Sequence, residues 1–191
     1  MKTPKIIEAF RKIRREDFLP EELKEEASIN APLPIGYGQT NSQPLTVAFM
    51  LELLEPKEED KILDIGAGSG WQTAMLAYIV GDKGKVLAIE RIPELVEFGR
   101  QNVAKYSFIE KGIVEFVCGN ASKFVSNGVD KIIAAASAKK IPDAWKEQLK
   151  IGGRLVVPVQ SSIWLLIKKS QADFEEQEFP GFAFVPLIEE K

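Results

Sequence analysis

KILDIGAGSGWQTAMLAYIV, residues 61–80, joins a short apolar run, a turn with three glycines and a longer apolar segment. The first run predicts a buried strand over 61–65, and the last predicts a helix over 71–80. Glycines let the turn between them bend sharply and approach a ligand beside the positive end of the helix. The stretch therefore predicts a strand, a nucleotide-binding turn and a helix.

The same alternation continues towards the C-terminus. Strand-like runs and helical patterns follow one another, with strands at 85–90, 113–118, 131–136 and 154–159, and helices at 93–106 and 142–150. Apolar strands separated by helices are typical of a doubly wound α/β fold with a mostly parallel sheet. The runs 162–169 and 181–188 have no helix between them and predict an antiparallel C-terminal strand pair, which completes a seven-stranded sheet.

The N-terminal region is predicted to be helical. Thr3 and Pro4 begin a helix that extends to about Arg15, and a largely buried helix follows Pro44 and is stopped by Pro56. The basic run FRKIRRE, residues 10–16, is followed closely by acidic residues, so we interpret it as a solvated helix face.

Length and charge restrict the class of protein. The chain has 191 residues, of which 45% are hydrophobic, and we expect a single domain over 1–191, with N-terminal helices and a loop at 1–56 and an α/β core at 57–191. A net charge of -3 argues against nucleic-acid and anionic-membrane partners. The N-terminus lacks the apolar core of a signal peptide, which predicts a cytoplasmic protein.

Histidine is absent, and Cys118 is the single cysteine. We expect Cys118 to be a packed strand residue, with no internal disulfide to form. No metal site and no Ser-His mechanism are expected either, because one cysteine cannot build a zinc site alone.

The spacing of the glycine turn points to a particular ligand. A dinucleotide fingerprint beginning at Gly66 needs a glycine where Trp71 stands, and no Lys-Ser/Thr pair follows to make a P-loop. Glu90 closes the next predicted strand, where an acid can accept hydrogen bonds from both ribose hydroxyls. S-adenosylmethionine, which has a ribose but no phosphate, fits this pattern. The alternatives are that Asp64 caps a turn and that Glu90 is a solvated strand end.

The next two strand ends refine this interpretation. Asn120 would lie near an adenine, where its amide can both accept and donate, although a turn former after a strand is an equal alternative. Ala134, Ala135 and Ala136 pack well and leave room beside a cofactor. The run AAASAKKIP, residues 134–142, lacks the Asn/Asp-Pro-Pro-aromatic pattern of enzymes that methylate exocyclic amines of bases, which disfavours that target.

Beyond the glycine turn, PLPIGYGQTNSQP, residues 32–44, is a loop-like segment without any charge. Together with RREDFLP (14–20), ILDIGAGSGWQTAMLA (62–77), IPDAWKEQLKIGGRLVVPV (141–159) and FVPL (184–187), it resembles the protein-L-isoaspartate O-methyltransferase family. The resemblance implies an S-adenosylmethionine-dependent methyltransferase fold with an N-terminal helical extension. It also implies methylation of the free α-carboxylate of L-isoaspartyl residues in damaged proteins and peptides, with S-adenosylhomocysteine as the second product.

The same resemblance assigns site residues. Ser42 is the implied active-site residue. The implied substrate-binding residues are Ile35, Gly36, Gln39, Thr40 and Gln43. The implied cofactor-binding residues are Asp64, Gly66, Ala67, Gly68, Gln72, Glu90, Arg91, Asn120 and Ala121. Isoaspartyl proteins and peptides are the expected partners of a monomer, with no nucleic acid and no membrane.

The implied chemistry agrees with the missing histidines, because a carboxylate with a pKa near 4 is ionised at neutral pH and needs no general base. Three positions in two segments depart from the family pattern. Gly119, Asn120 and Ala121 stand where Gly-Asp-Gly is usual, and Asn41 stands where Ile is common. The alternatives are a related protein with another acceptor, such as a small molecule or RNA, or one that has lost turnover.

Overall fold

The computed structural model describes residues 3–121 and 128–188. Its N-terminal part contains α1 (Pro4–Lys12), two 3-10 helices (Arg15–Phe18 and Glu21–Glu26), β1 (Leu33–Gly36), β2 (Gln39–Asn41) and α2 (Pro44–Leu54). Both α-helices begin at a proline, since the first turn of a helix leaves its N–H groups unpaired. Helix α1 ends before the predicted Arg15, because Ile13 is extended and buried.

The centre of the molecule is a seven-stranded sheet. Its strands and helices follow in the order β3 (Lys61–Ile65), α3 (Trp71–Val80), β4 (Lys85–Glu90), α4 (Pro93–Ala104), β5 (Val114–Cys118), β6 (Val129–Ala134), α5 (Asp143–Gln148), β7 (Leu149–Val159), β8 (Ser162–Lys168) and β9 (Phe174–Pro180). The spatial order is β5-β4-β3-β6-β7-β8-β9, and pairing is parallel from β5 to β7 and antiparallel at β7-β8 and β8-β9. The predicted fold class is confirmed.

Both faces of the sheet are covered. Successive residues of a strand point to opposite faces, so Ile62 packs among side chains of α1 to α4, while Leu63 packs in a second cluster with Trp145 of α5. The strands β3 and β6, at the centre of the sheet, are therefore buried on both sides.

Within the described ranges, no helix combines the length and apolar character that crossing a bilayer requires.

The last strand lies elsewhere than predicted. The second strand of the C-terminal pair is Phe174–Pro180 and not 181–188, so that prediction is wrong. Its side chains are mostly exposed and include Glu175, Glu176 and Glu178. Charged residues are common on edge strands because they prevent further pairing, and such a strand carries no apolar signal. The segment after Gly181 instead returns to the residues that follow β6, where Pro186 bridges to Ser137.

Candidate active site

A cavity lies where the strand order reverses, at the carboxyl ends of β3 and β6. Strands that diverge at such a point leave a crevice in which doubly wound proteins bind ligands. The cavity is lined by the hairpin that β1 and β2 form, the first residues of α2 and α3, the glycine turn (residues 66–70), the ends of β3 and β4, the residues that follow β5 and β6, and the C-terminal segment. The lining residues are Ile35, Gln39, Thr40, Asn41, Ser42, Val47, Ile65, Gly66, Ala67, Gly68, Ser69, Trp71, Gln72, Ile89, Glu90, Arg91, Ile92, Gly119, Asn120, Ala121, Ala135, Ala136, Val185, Pro186, Leu187 and Ile188.

The glycine turn, residues 66–70, forms one wall and follows directly from β3. Gly66, Gly68 and Gly70 all have positive φ angles, of 74°, 52° and 85°, which only glycine adopts without strain. The N–H groups of Gly66 and Ala67 both donate to the carbonyl of Ile89 (2.8 and 3.2 Å). The turn is thus fixed to the end of β4 by its own backbone.

Glu90 is buried at the end of β4 and faces this turn. Its Oε2 accepts from the N–H of Gly68 (3.0 Å), and its Oε1 accepts from those of Arg91 (2.8 Å) and Ile92 (3.0 Å). A carboxylate offers about four lone-pair sites, so Oε2 keeps one for a ligand hydroxyl. The carboxylate is therefore oriented before any ligand arrives.

Asp64 lies behind the cavity wall and is not among the lining residues. It is fully buried, and its carboxylate accepts from Gln72 Nε2 (2.8 Å) and Thr73 Oγ1 (2.6 Å). Burial raises the pKa of Asp64 to about 6, because desolvation outweighs these two hydrogen bonds. Gln72 does line the cavity, so Asp64 acts on the site indirectly, by orienting the side chain of Gln72.

The hairpin of β1 and β2 forms the opposite wall. The polar segment expected to be a loop pairs antiparallel, with Leu33 opposite Asn41 and Pro34 opposite Thr40. Tyr37 and Gly38, at its tip, both have positive φ angles, as a type I′ turn requires. Sequence reasoning missed the hairpin, because two strands of four and three residues are too short to show alternation.

A single buried cation holds this hairpin. Arg15 is 5% exposed and makes six hydrogen bonds, which include Nη2 to the carbonyls of Ala31 (2.7 Å) and Ser42 (3.0 Å). Its guanidinium also lies 5.4 Å from the ring centre of Trp71. Desolvation lowers the pKa of Arg15 to about 10, still far above neutral pH. The interpretation of residues 10–16 as a solvated helix face is therefore wrong at Arg15.

Comparisons with known proteins agree with this geometry. The profile of the protein-L-isoaspartate(D-aspartate) O-methyltransferase (PCMT) family matches residues 1–191. The chain belongs to this family. Among its relatives, the protein-L-isoaspartate O-methyltransferase of Methanopyrus kandleri is 39% identical over 100% of this chain and 86% of its own length. Protein-L-isoaspartate O-methyltransferase 2 of Archaeoglobus fulgidus is 44% identical over 96% and 84%.

Two solved structures share the fold. A PCMT from Plasmodium falciparum, crystallised with S-adenosyl-L-homocysteine, has a TM-score of 0.89 at 20% identity and covers 98% of this chain and 92% of its own. A further protein-L-isoaspartate O-methyltransferase has a TM-score of 0.85 at 27% identity over 96% of this chain and 61% of its own. The resemblance to the family inferred from the sequence is confirmed.

Most residues that the family resemblance assigned to the site line the one cavity. They are Ile35, Gln39, Thr40, Ser42, Gly66, Ala67, Gly68, Gln72, Glu90, Arg91, Asn120 and Ala121. Gly36 and Gln43 lie outside this lining, as does Asp64. Gln43 instead borders a separate surface hollow with Leu45, Phe49 and Phe182.

Other lining residues were missed. Asn41 and Ser69 are buried polar residues, and Asn41 Nδ2 donates to Ser69 Oγ (3.0 Å). The sequence gives no sign of this contact between residues 28 positions apart. Residues 185–188 also line the cavity, held by hydrogen bonds between Ser137 and the backbone of Val185 and Leu187. The one sequence signal for this role was FVPL, residues 184–187, which is among the runs that resemble the family.

Two residues at the end of β5 had separate expectations. Asn120 lines the cavity, and its position near an adenine stays a prediction. Cys118 was expected to be packed but is exposed, and its Sγ is 3.9 Å from the carbonyl of Arg91, so that prediction is wrong. Cys118 is the last residue of β5, the outermost strand at this end of the described sheet, and pairs with Glu90 of β4 on one side only.

The cavity is nearly neutral. Among its lining residues, all within the part of the chain that the structure describes, Glu90 and Arg91 are the only charged ones. Glu90 is satisfied by three N–H groups, and Arg91 is exposed. The hairpin wall, in contrast, contributes Gln39, Thr40 and Ser42, whose side chains are polar but uncharged. Such groups can orient an anion without neutralising it.

Proposed function

We propose that this protein catalyses S-adenosylmethionine-dependent methylation of the free α-carboxylate of L-isoaspartyl residues in damaged proteins and peptides. The observation that carries this proposal is that the neutral hairpin wall and the glycine turn with Glu90 line a single cavity. One wall suits a cofactor with a ribose, and the other suits a carboxylate. Membership in the PCMT family supports the same reaction.

The glycine-turn wall fits S-adenosylmethionine. Gly66 and Gly68 keep that wall free of side chains, and Glu90 retains a lone pair for a ribose hydroxyl. The amide of Asn120 at the end of β5 can pair with an adenine. When bound, the cofactor would supply an electrophilic methyl group on a sulfonium sulfur. The other residues proposed to contact it are Ala67, Gln72, Arg91 and Ala121.

The hairpin wall would hold the acceptor. An isoaspartyl α-carboxylate is ionised at neutral pH, so the site needs donors that orient one oxygen rather than a base. Ser42 is proposed to bind that carboxylate, with Thr40 and Gln39 beside it. Orientation of this kind can lower a barrier by about 7 to 11 kcal/mol in ideal cases. The carbonyl of Ser42 accepts a hydrogen bond from buried Arg15, which fixes the position of Ser42 before the substrate binds.

Three further residues complete this assignment. Ile35 lines the cavity and would contact the acceptor through its apolar side chain. Gly36 and Gln43 lie outside the lining, so they would act on the acceptor through the shape of the hairpin. We further infer that residues 1–191 act as one domain, as a monomer in the cytoplasm, on protein and peptide partners. The net charge of -3 supports a partner other than nucleic acid.

A paired peptide assay tests the proposal. The purified protein is incubated with methyl-labelled S-adenosylmethionine and either an isoaspartyl peptide or its normal aspartyl twin. We expect a base-labile methyl ester on the isoaspartyl peptide alone. Equal labelling of both peptides, or no labelling although the cofactor binds, would contradict the proposal and favour another acceptor or lost turnover.

Two substitutions test the roles of the walls. We expect Ser42→Ala to lower kcat by about 10-fold or more while leaving cofactor affinity within about twofold, because it removes one orienting donor. Glu90→Ala should do the reverse and raise the cofactor Kd by about 10-fold or more. Steady-state kinetics and calorimetry measure the two effects. Normal turnover of Ser42→Ala would remove Ser42 from the site.

A further inference from the structure

Asn41 directly connects the two walls of the cavity. Its side chain is buried, with 3% exposed. Oδ1 accepts from Arg15 Nε (2.8 Å), and Nδ2 donates to Ser69 Oγ (3.0 Å). Asn41 belongs to the hairpin and Ser69 to the glycine turn, so this amide spans the proposed acceptor and cofactor walls.

The chemistry of the two partners fixes the orientation of the amide. A guanidinium can only donate, so Oδ1 must face Arg15 and Nδ2 must face Ser69. The hydroxyl of Ser69 then accepts from Asn41 and keeps its own proton to donate. A leucine of nearly the same shape would leave Arg15 Nε without this acceptor and Ser69 without this donor.

Ser69 is itself anchored on the cofactor side. Its carbonyl accepts from Nδ2 of buried Asn102 on α4 (3.1 Å). On the acceptor side, the Arg15 guanidinium donates both to Asn41 Oδ1 and to the carbonyl of Ser42 (3.0 Å). A continuous set of hydrogen bonds therefore runs from α4 through Ser69, Asn41 and Arg15 to Ser42.

We propose that Asn41 is a positioning residue that couples the two walls, so that a ligand on the glycine turn strengthens binding of the acceptor on the hairpin, and the reverse. Such coupling is reciprocal and typically amounts to about 5-fold or more in affinity. The proposal rests on the proposed function, because it takes the isoaspartyl peptide as the second ligand. The coupling goes beyond the proposed function, because it depends on a hydrogen bond between the two walls and not on either wall by itself.

Calorimetry measures the coupling. The Kd of the isoaspartyl peptide is determined with and without saturating S-adenosyl-L-homocysteine, which has no methyl group to transfer. For the unaltered protein we expect the ratio of the two Kd values to be about 5 or more. For Asn41→Leu and for Ser69→Ala we expect it to fall below about 2, with kcat reduced more than the peptide KM changes.

Three further variants make the test specific. Asn41→Asp can still accept from Arg15, and the Ser69 hydroxyl can turn to donate to it, so the ratio should persist although the new charge weakens peptide binding in both states. In the Asn41→Leu/Ser69→Ala double variant the ratio should be no lower than in either single variant, because both substitutions remove the same hydrogen bond between Asn41 and Ser69. Asn102→Leu, which frees the far side of Ser69, should lower the ratio partially. Thermal unfolding confirms that each variant is folded.

Clear results would overturn the proposal. These are a ratio near 1 in the unaltered protein, an unchanged ratio in both Asn41→Leu and Ser69→Ala, or a ratio in Asn41→Asp as low as in the leucine variant. If the peptide binds to no form of the protein, the proposed function fails instead. Hydrogen exchange then tests the link alone: S-adenosyl-L-homocysteine should slow exchange at residues 39–42 in the unaltered protein and not in Ser69→Ala, and equal slowing in both would contradict it.

Discussion

The glycine turn continues directly from a central strand of the seven-stranded sheet, whereas the hairpin on the other side of the cavity belongs to a separate two-stranded sheet. Backbone hydrogen bonds to Ile89 fix the turn, and Gly70 packs closely against Gly99 and Val103 of α4. The hairpin is fixed by side chains, above all by Arg15. Losing one side chain should therefore damage the hairpin, while the turn should be most sensitive to added atoms.

The largest effect is expected for Arg15→Met, which keeps much of the length of the side chain but removes all donors. It would leave the carbonyls of Ala31 and Ser42 without this partner, and we expect the free energy of unfolding to fall by about 3 to 5 kcal/mol. Urea denaturation measures the loss.

Arg14 provides a matched control for this substitution. Its side chain is exposed and forms a surface ion pair with Glu16, so Arg14→Met should change the free energy of unfolding by no more than about 0.5 kcal/mol. Similar losses for the two variants would show that the hairpin does not depend on the buried guanidinium.

An intermediate effect is expected for Gly70→Ala on the other wall. A Cβ at Gly70 would lie 2.8 Å from Val103 Cγ2 and 3.0 Å from the carbonyl of Gly99, with φ at 85°. Overpacking and backbone strain together should cost about 2 to 4 kcal/mol of unfolding free energy. Gly38, at the hairpin tip, has φ at 70°, but among the described residues no atom beyond its chain neighbours lies within 4 Å of such a Cβ.

Gly38→Ala is therefore the control, and it should cost only the strain of about 1 to 2 kcal/mol. Thermal or urea unfolding compares the two variants. A loss for Gly38→Ala as large as that for Gly70→Ala would mean that packing against α4 does not distinguish the two walls.

The smallest effect is a pH dependence at Asp64. Burial raises the pKa of Asp64 from 3.8 to about 6 in the folded protein. Protonation of Asp64 therefore stabilises the folded state relative to the unfolded state. That contribution is complete below pH 3.8 and is lost as the pH rises through 6. The amide of the Asp64→Asn variant cannot ionise, so the stability of this variant relative to the unaltered protein should rise by about 2 to 3 kcal/mol between about pH 4 and pH 7.

Urea denaturation of both proteins across that pH range measures the difference. A constant hydrogen-bonding offset from the new amide cancels in this comparison, because it does not vary with pH. A difference that stays flat across the whole range would show that the carboxyl has an ordinary pKa.

The two walls also differ in how well the sequence predicted them. The strand at 61–65, the helix at 71–80 and the strand at 85–90 were predicted with the bounds that the structure has. Their apolar runs and glycines act through local backbone preference and continuous burial, which a sequence displays. The edge strand Phe174–Pro180 was not predicted, because exposed Glu and Gln side chains carry no such signal.

Arg15 and Asn41 show what a sequence leaves undetermined. Beside the acidic residues that follow it, Arg15 has the pattern of a surface residue, and Asn41 stood out only as a departure from a family pattern. Each is buried because a partner distant in the chain satisfies its polar groups: Asn41 lies 26 residues beyond Arg15, and Ser69 lies 28 residues beyond Asn41. Burial of a polar group is favourable only when such partners are in place.

The sequence by itself determined the doubly wound sheet, the glycine turn, the acid at the end of the second core strand and the family to which the chain belongs. Tertiary structure alone decided that the uncharged segment is a hairpin, that a buried arginine holds it and that an asparagine joins it to the glycine turn. The physical reason is that backbone preference and apolar periodicity are local properties of the chain. Hydrogen bonds between buried polar side chains exist only once packing has brought distant residues within about 3 Å of one another.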